Sequence, residues 1–241
     1  MTAVPTNATF DAVQAIQRAP SVGKIKDVLR RVADHRGYEF FHCSAPPPVG
    51  ADLTARNVLF EEWPAEWKSR YTDERLYMID PVVVKLQCSS DPFLWSSVRT
   101  SRTTRAEMRV MEDAASYGLR QGLIVPIFGI GGSIYGAAFA GFKPRCDSIA
   151  LAELHLVSMY AYARAKQLRR REPEPPVAIS LKEREALQWA AAGKSDWEIG
   201  EVVGITESAA HKRIESAKRK YGVATRMQAV VEALRRGHIQ I

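Results

Sequence analysis

The stretch LRRREPEPPVAIS, residues 168–180, constrains this chain more than any other. A basic run meets alternating Glu and Pro. Pro173, Pro175 and Pro176 lack an amide hydrogen and clash with a preceding helical turn, so no helix continues through them. Such a composition favours an extended, semi-rigid connector. A linker over 171–176 therefore separates a first domain, 1–170, from a second, 177–241, and 241 residues allow each a core of its own.

Upstream of the seam the pattern is mixed. FDAVQAIQRA and SVGKIKDVLRRVADHRG carry apolar residues at helical spacing, and Gly37 suits the end of the second helix. YEFFHCSA and ARNVLFEEW read as strands, and TTRAEMRVMEDAASYG as a helix. GLIVPIFGIGGSIYGAAFAGF reads as two strands joined by a Gly-rich turn. A long helix over 148–168 follows, with apolar Leu154, Val157, Tyr160 and Ala161. Helices then flank a mostly antiparallel sheet on both faces. The expected class is α+β: an α/β/α sandwich followed by an all-α domain.

Downstream everything is helical. Ser180 with Glu183, and Ser195 with Glu198, are two capping boxes, each opening a short helix. The second of these helices should bury Ile199, Val202 and Val203. Gly204 makes a tight turn, Thr206 caps the next helix, and Gly237 closes the last one. Two short helices joined by a glycine turn form a helix-turn-helix. On its second helix Ala210, Ile214, Ala217 and Tyr221 form the stripe to be buried. Ser208, Lys212, Glu215 and Arg219 lie opposite, with Ala209, Arg213 and Ser216 on a flank. Small residues near the helix start let it approach base edges, and Lys212, Arg213, Arg219 and Lys220 can meet phosphates. A solvated charged face is the plainer reading of the same residues.

The net charge of +7 permits a polyanionic partner without requiring one. No run of apolar residues is long enough to cross a membrane, and MTAVPTNATFDAV lacks the features of a signal peptide. Cys43, Cys88 and Cys146 and five scattered histidines suit a reducing cytoplasm and offer no metal site. No cofactor and no hydrolytic or phosphate-cradling constellation is expected.

LQWAAAGKSDWEI and ITESAAHKRIESAKRKYGVATRMQAV resemble the DNA-binding domain of LuxR-type quorum-sensing regulators, with Glu183, Leu187 and Gly193 at recurring family positions. WPAEWKSRYTDERLYMIDPVV and FLWSS resemble that family's acyl-homoserine-lactone signature through Trp67, Tyr71, Asp80, Pro81 and Trp95; Gly118, Gly122 and Pro126 continue the pattern. Without the resemblance, these aromatics are core residues and Asp80 is an N-cap before Pro81. With it, Asp80 accepts from a ligand amide, Trp67 donates to a lactone carbonyl, Trp95 walls the ring and Tyr71 packs beside the amide. The resemblance further implies a homodimer on two-fold symmetric double-stranded DNA, with RNA polymerase as a further partner. The long helix 148–168 and the last helix around Val230 and Leu234 are the candidate interfaces.

Several positions depart from the family pattern. Ala209-Ala210 and Arg213 replace a usual Thr-Val and His, which implies a different operator. Trp63 and Val82 replace a Tyr and a Thr, and Phe139 replaces a Ser on the last strand. With Tyr135 also pointing inward, the expected signal is an aryl, branched or short acyl-homoserine lactone. A solo regulator of the same architecture sensing a non-lactone or host-derived compound remains an alternative. So do an enzymatic first domain and a non-specific nucleoid binder.

Overall fold

In the computed structural model, residues 6–47, 51–129, 132–169 and 177–240 are described. The chain divides into two compact units, Met1–Phe128 with Ile134–Arg171, and Glu172–Ile241 with Gly129–Ser133. The expected linker, 171–176, lies outside the described residues.

The first unit is a three-layer sandwich. Its helices and strands run α1 (Thr6–Arg18), α2 (Val22–His35), β1 (Phe40–Ser44), β2 (Val58–Glu62), α3 (Ala65–Asp73), α4 (Pro81–Leu86), β3 (Phe93–Leu94), α5 (Arg105–Ser116), β4 (Gln121–Phe128), β5 (Ile134–Gly141) and α6 (Ser148–Arg169). The sheet order is β2-β1-β5-β4-β3 and every pairing is antiparallel. Ser21 caps α2 by accepting from the Lys24 amide, and Gly37, at φ +77°, ends the turn that follows that helix.

Alternate residues of each strand serve different layers. Phe41, Leu123, Val125 and Phe139 pack with Ile16, Ile25, Leu29, Leu154 and Val157 into a core under α1, α2 and α6. Ile124, Ala138 and Ala140 face the other way, among Trp67, Tyr71, Leu86, Trp95 and Met111. The buried Arg36 Nε donates to Glu153 Oε2 at 2.5 Å, and Thr9 donates to Glu153 Oε1, so one carboxylate ties α1, the end of α2 and α6 together. Tyr160 is exposed on α6, unlike Leu154, Val157 and Ala161. It therefore departs from the expected buried stripe.

The second unit is four helices, α7 (Leu181–Ala191), α8 (Asp196–Val203), α9 (Glu207–Tyr221) and α10 (Arg226–Arg235). Both expected capping boxes form, Gly204 is left-handed at φ +72°, and Thr206 caps α9. Ala210, Ile214 and Ala217 are buried as expected, with Tyr221 half-buried. Val202 is corrected: it is 51% exposed, because eight-residue α8 turns Ile199 and Gly200 inward. A Cβ on Gly200 would lie 2.7 Å from the Ile205 carbonyl oxygen, so glycine allows the two helices to pack closely. Val230 is buried in the core and Leu234 is part-buried against it; Met227 and Val231 are the exposed apolar residues of α10. The interface expected at Val230 and Leu234 is therefore not an exposed surface.

One buried carboxylate braces α9 on α7. Glu183 Oε1 accepts from Ser216 Oγ at 2.7 Å, and Oε2 accepts from Lys220 Nζ at 2.6 Å and the Ser180 amide at 2.7 Å. Burial pushes its carboxyl upward, but Lys220, the Ser180 amide and Ser216 outweigh burial and hold it at about 2, against an ordinary 4.5. A depressed folded-state value gives stability that is full above the unfolded value and fades as pH falls toward the folded one. Unfolding followed between pH 5 and 2 should therefore show a steeper loss of second-unit stability in the wild type than in Glu183→Gln. Equal slopes would mean that the brace is not ionic.

Candidate functional site

A narrow cavity, partly open to solvent, lies between the sheet and α3, α4 and α5. Trp67 and Tyr71, one turn apart on α3, both turn into it and are buried. Trp63 closes over them, its ring 5.4 Å from Tyr71 at 86°. Val82 and Trp95 are buried in its wall. Trp95 rests flat on the strand: a Cβ on Gly122 would come within 2.7 Å of its indole and 2.6 Å of the Phe139 carbonyl oxygen.

Asp80 has two roles at once. Its Oδ1 accepts from the Val82 amide at 2.8 Å, capping α4, and Oδ2 accepts from the Tyr71 hydroxyl at 2.8 Å. Burial raises its carboxyl, opposed by the Tyr71 hydrogen bond and the backbone amides of Val82 and Val83. Burial, and next the Asp80 charge, raise the Tyr71 hydroxyl well above its ordinary value, so Tyr71 keeps its proton. That proton is committed to Asp80. The Tyr71 oxygen is thus left with only lone pairs for any further contact.

Donors come from elsewhere. The indole N–H groups of Trp63 and Trp95 are buried with no hydrogen-bond partner among the described residues. Each such group costs about 1–3 kcal/mol while unsatisfied. An apolar enclosure holding two free donors and a carboxylate acceptor suits a small molecule with carbonyl oxygens and one N–H.

Trp63, Trp67, Tyr71, Asp80, Val82 and Trp95 thus converge on the cavity, but Phe139 and Tyr135 do not. Phe139 packs on Tyr38 and Phe41 in the opposite core, and Tyr135 on Tyr162 and Lys166. The strand period of two turns Gly136 and Ala138 to the cavity in their place. His42 and Ser44, both on the cavity face of β1, line it as well. Their shared i, i+2 parity was the available signal. His42 Nε2 is 2.8 Å from Ser44 Oγ, and Nδ1 is 3.6 Å from Glu61 Oε2, beyond a hydrogen bond. His42, and after it Lys68, hold the Glu61 carboxyl at about 2 against opposing burial. No cluster of metal ligands occurs among the described residues.

In the second unit, Ser208, Lys212 and Arg219 stand on the exposed face of α9. Ala209 is half-buried, and its amide caps to Thr206. Arg213 pairs with Glu185 at 3.2 Å, while Ser216 and Lys220 hold Glu183. These three face α7 and help fix the helix in place. The described helices include none long and apolar enough to cross a membrane.

The autoinducer binding domain model matches residues 21–165, and that of the luxR family of bacterial regulatory proteins matches residues 177–233. The chain belongs to the LuxR family of autoinducer-binding regulators. This LuxR-type regulator is 34% identical over 182 residues to the transcriptional activator BjaR1 of Bradyrhizobium diazoefficiens, covering 75% of each chain. It is also 34% identical over 206 residues to RpaR of Rhodopseudomonas palustris, a quorum sensing-dependent transcriptional regulator, covering 83% of this chain and 84% of that one. Its fold is that of SdiA from Escherichia coli, with TM-score 0.70 and 19% identity over 97% and 98% of the two chains. Family members are transcriptional regulators, not enzymes.

Seating of Trp95 on Gly122 is directly testable. Gly122→Ala should cost about 1–3 kcal/mol through overpacking, and should shift tryptophan emission as the indole moves. An unchanged unfolding midpoint together with unchanged emission would show that Trp95 does not depend on Gly122.

Proposed function

We propose that this regulator senses an acyl-homoserine lactone with an aryl, branched or short acyl group and controls transcription in the cytoplasm as a DNA-bound homodimer. The observation that carries the ligand reading is the complementarity of one cavity. Asp80 accepts, buried indole N–H groups lack acceptors, and the remaining wall is apolar. An acyl-homoserine lactone presents one amide N–H and two carbonyls, which are the matching groups. Trp63, one of the two unpartnered donors, is assigned to the acyl carbonyl, Trp67, whose indole also faces the cavity, to the lactone carbonyl, Asp80 to the amide, and Trp95 to the ring, with its own N–H outside these assignments.

Beyond the acyl carbonyl, the wall next to Asp80 is Val82, Leu86 and Met111, which cannot donate. A 3-oxo group buried there lacks a donor, which is unfavourable. Phe139 and Tyr135 no longer contribute to this preference. Trp63 and Tyr77 supply the aromatic faces, each worth about 0.5–1.5 kcal/mol to a ligand ring.

On DNA, Ser208 and Ala209 enter the major groove, Lys212 and Arg219 meet phosphates, and Arg213, Ser216 and Lys220 set the helix angle from the flank. A helix this short reads a few base pairs, so two half-sites about one turn apart are needed. Monomeric protection of one asymmetric half-site in a footprint would overturn the dimeric reading. Lys212→Ala or Arg219→Ala should flatten the plot of log affinity against log salt by about 0.9 per lost contact. Asp80→Ala should weaken binding of N-phenylacetyl- and N-butanoyl-homoserine lactone by roughly 5- to 150-fold, the equivalent of 1–3 kcal/mol. Unchanged affinity in the soluble variant would leave Asp80 as a helix cap alone.

A further inference from the structure

The polar corner of the cavity formed by β1 and β2 is served by none of the contacts assigned above. His42 and Ser44 stand two residues apart on the cavity face of β1, opposite Ala138 and Gly136 of β5. Ala138 is small, while the space over Gly136 is taken up by the Leu86 and Ile124 side chains, so the polar corner lies beside these two residues on the β1 side. The His42 ring is fixed by stacking on Trp63, with centroids 4.2 Å apart and planes at 23°. On its outer side Glu61 is ionised, lies near Nδ1, and is held by Lys68.

This arrangement orients a proton chain. In the tautomer that points the Nδ1 hydrogen toward Glu61, 3.6 Å away, Nε2 is an acceptor. Among the described residues, the group in hydrogen-bond contact with Nε2 is the Ser44 hydroxyl, at 2.8 Å. With its hydrogen spent there, Ser44 Oγ presents only lone pairs to the cavity. An acceptor-only oxygen welcomes an O–H group and repels a carbonyl oxygen.

We propose that Ser44, backed by His42 and Glu61, is a specificity-determining residue that accepts a hydrogen bond from a hydroxyl group on the acyl portion of the signal. This rests on the acyl-homoserine-lactone reading and narrows it to hydroxylated acyl groups. Trp63 then serves twice, as a donor to the ligand and as the surface that holds the imidazole.

The test uses the full-length protein and two matched sets of homoserine lactones. One set is N-butanoyl, N-(3-hydroxybutanoyl) and N-(3-oxobutanoyl). The other is N-phenylacetyl and N-(4-hydroxyphenyl)acetyl. In at least one set the hydroxylated compound should bind about tenfold more tightly than its unsubstituted parent, or about 1.4 kcal/mol. Ser44→Ala should remove that preference, bringing the hydroxylated compound and its parent to equal affinity, and Ser44→Thr should keep it. His42→Phe preserves stacking on Trp63 but frees the Ser44 hydrogen, so it should shift preference toward the oxo compound. Parents that bind, with no hydroxyl preference in either set or with a preference that survives Ser44→Ala, would overturn this proposal alone. No binding by any of the five lactones would overturn the lactone reading and this proposal together.

Discussion

The central strand β5 must send alternate side chains to opposite faces of the sheet, and the first unit depends on what the chain places on each. Tyr135, Ala137 and Phe139 go to the core beneath α1, α2 and α6. Gly136, Ala138 and Ala140 go to the other face, where, past Ile134 at the start of the strand, nothing larger than a methyl group rises. At Gly136 even that is excluded, since a Cβ would lie 2.7 Å from the Leu86 side chain and 2.8 Å from Ile124. One face is thus close-packed and holds the helices, and the other is a floor over which α3, α4 and α5 leave room for a ligand.

That parity also decides what could be read from sequence. Amphipathic periods located most helices and the longer strands, capping boxes marked the starts of α7 and α8, and Thr206 marked that of α9. The aromatic signature brought Trp67, Tyr71, Asp80 and Trp95 together, because they sit on or beside short elements at fixed spacing. Phe139 and Tyr135 were misplaced for one physical reason: a one-residue slip exchanges the two faces of a strand. The Gly-rich turn around Gly131-Gly132 leaves that count open. Glu61, His42 and Ser44 are joined by strand pairing across β1 and β2, with His42 opposite Glu61, and no local spacing encodes such a contact.

The cavity's polar groups form a coherent set once their protons are traced. The Tyr71 hydrogen goes to Asp80, so the phenol and the carboxylate together make an acceptor pole. The buried indole N–H groups of Trp63 and Trp95 are the unpartnered donors. Tyr71 is therefore less a ligand contact than a clamp: it fixes one Asp80 oxygen while the Val82 amide fixes the other. A carboxylate held at both oxygens is preorganised, and little rotamer entropy remains to be lost when an amide N–H arrives.

A similar accounting applies to the recognition helix. Of the cations on α9, Lys218 pairs with Glu215, Arg213 with Glu185 and Lys220 with Glu183. Lys212 and Arg219 make no ion pair or hydrogen bond among the described residues. The charge available to phosphates is thus smaller than the count of basic residues on the helix suggests. Phosphate contacts supply most of the sequence-independent affinity for DNA. Two such contacts from one helix would give little of it, which is why the proposed function doubles the helix across a symmetric site. The paired cations are not wasted in this arrangement. By anchoring α9 to α7 through Glu183 and Glu185, they convert charge into a fixed helix angle, and a fixed angle lets so few contacts fall in register with the groove.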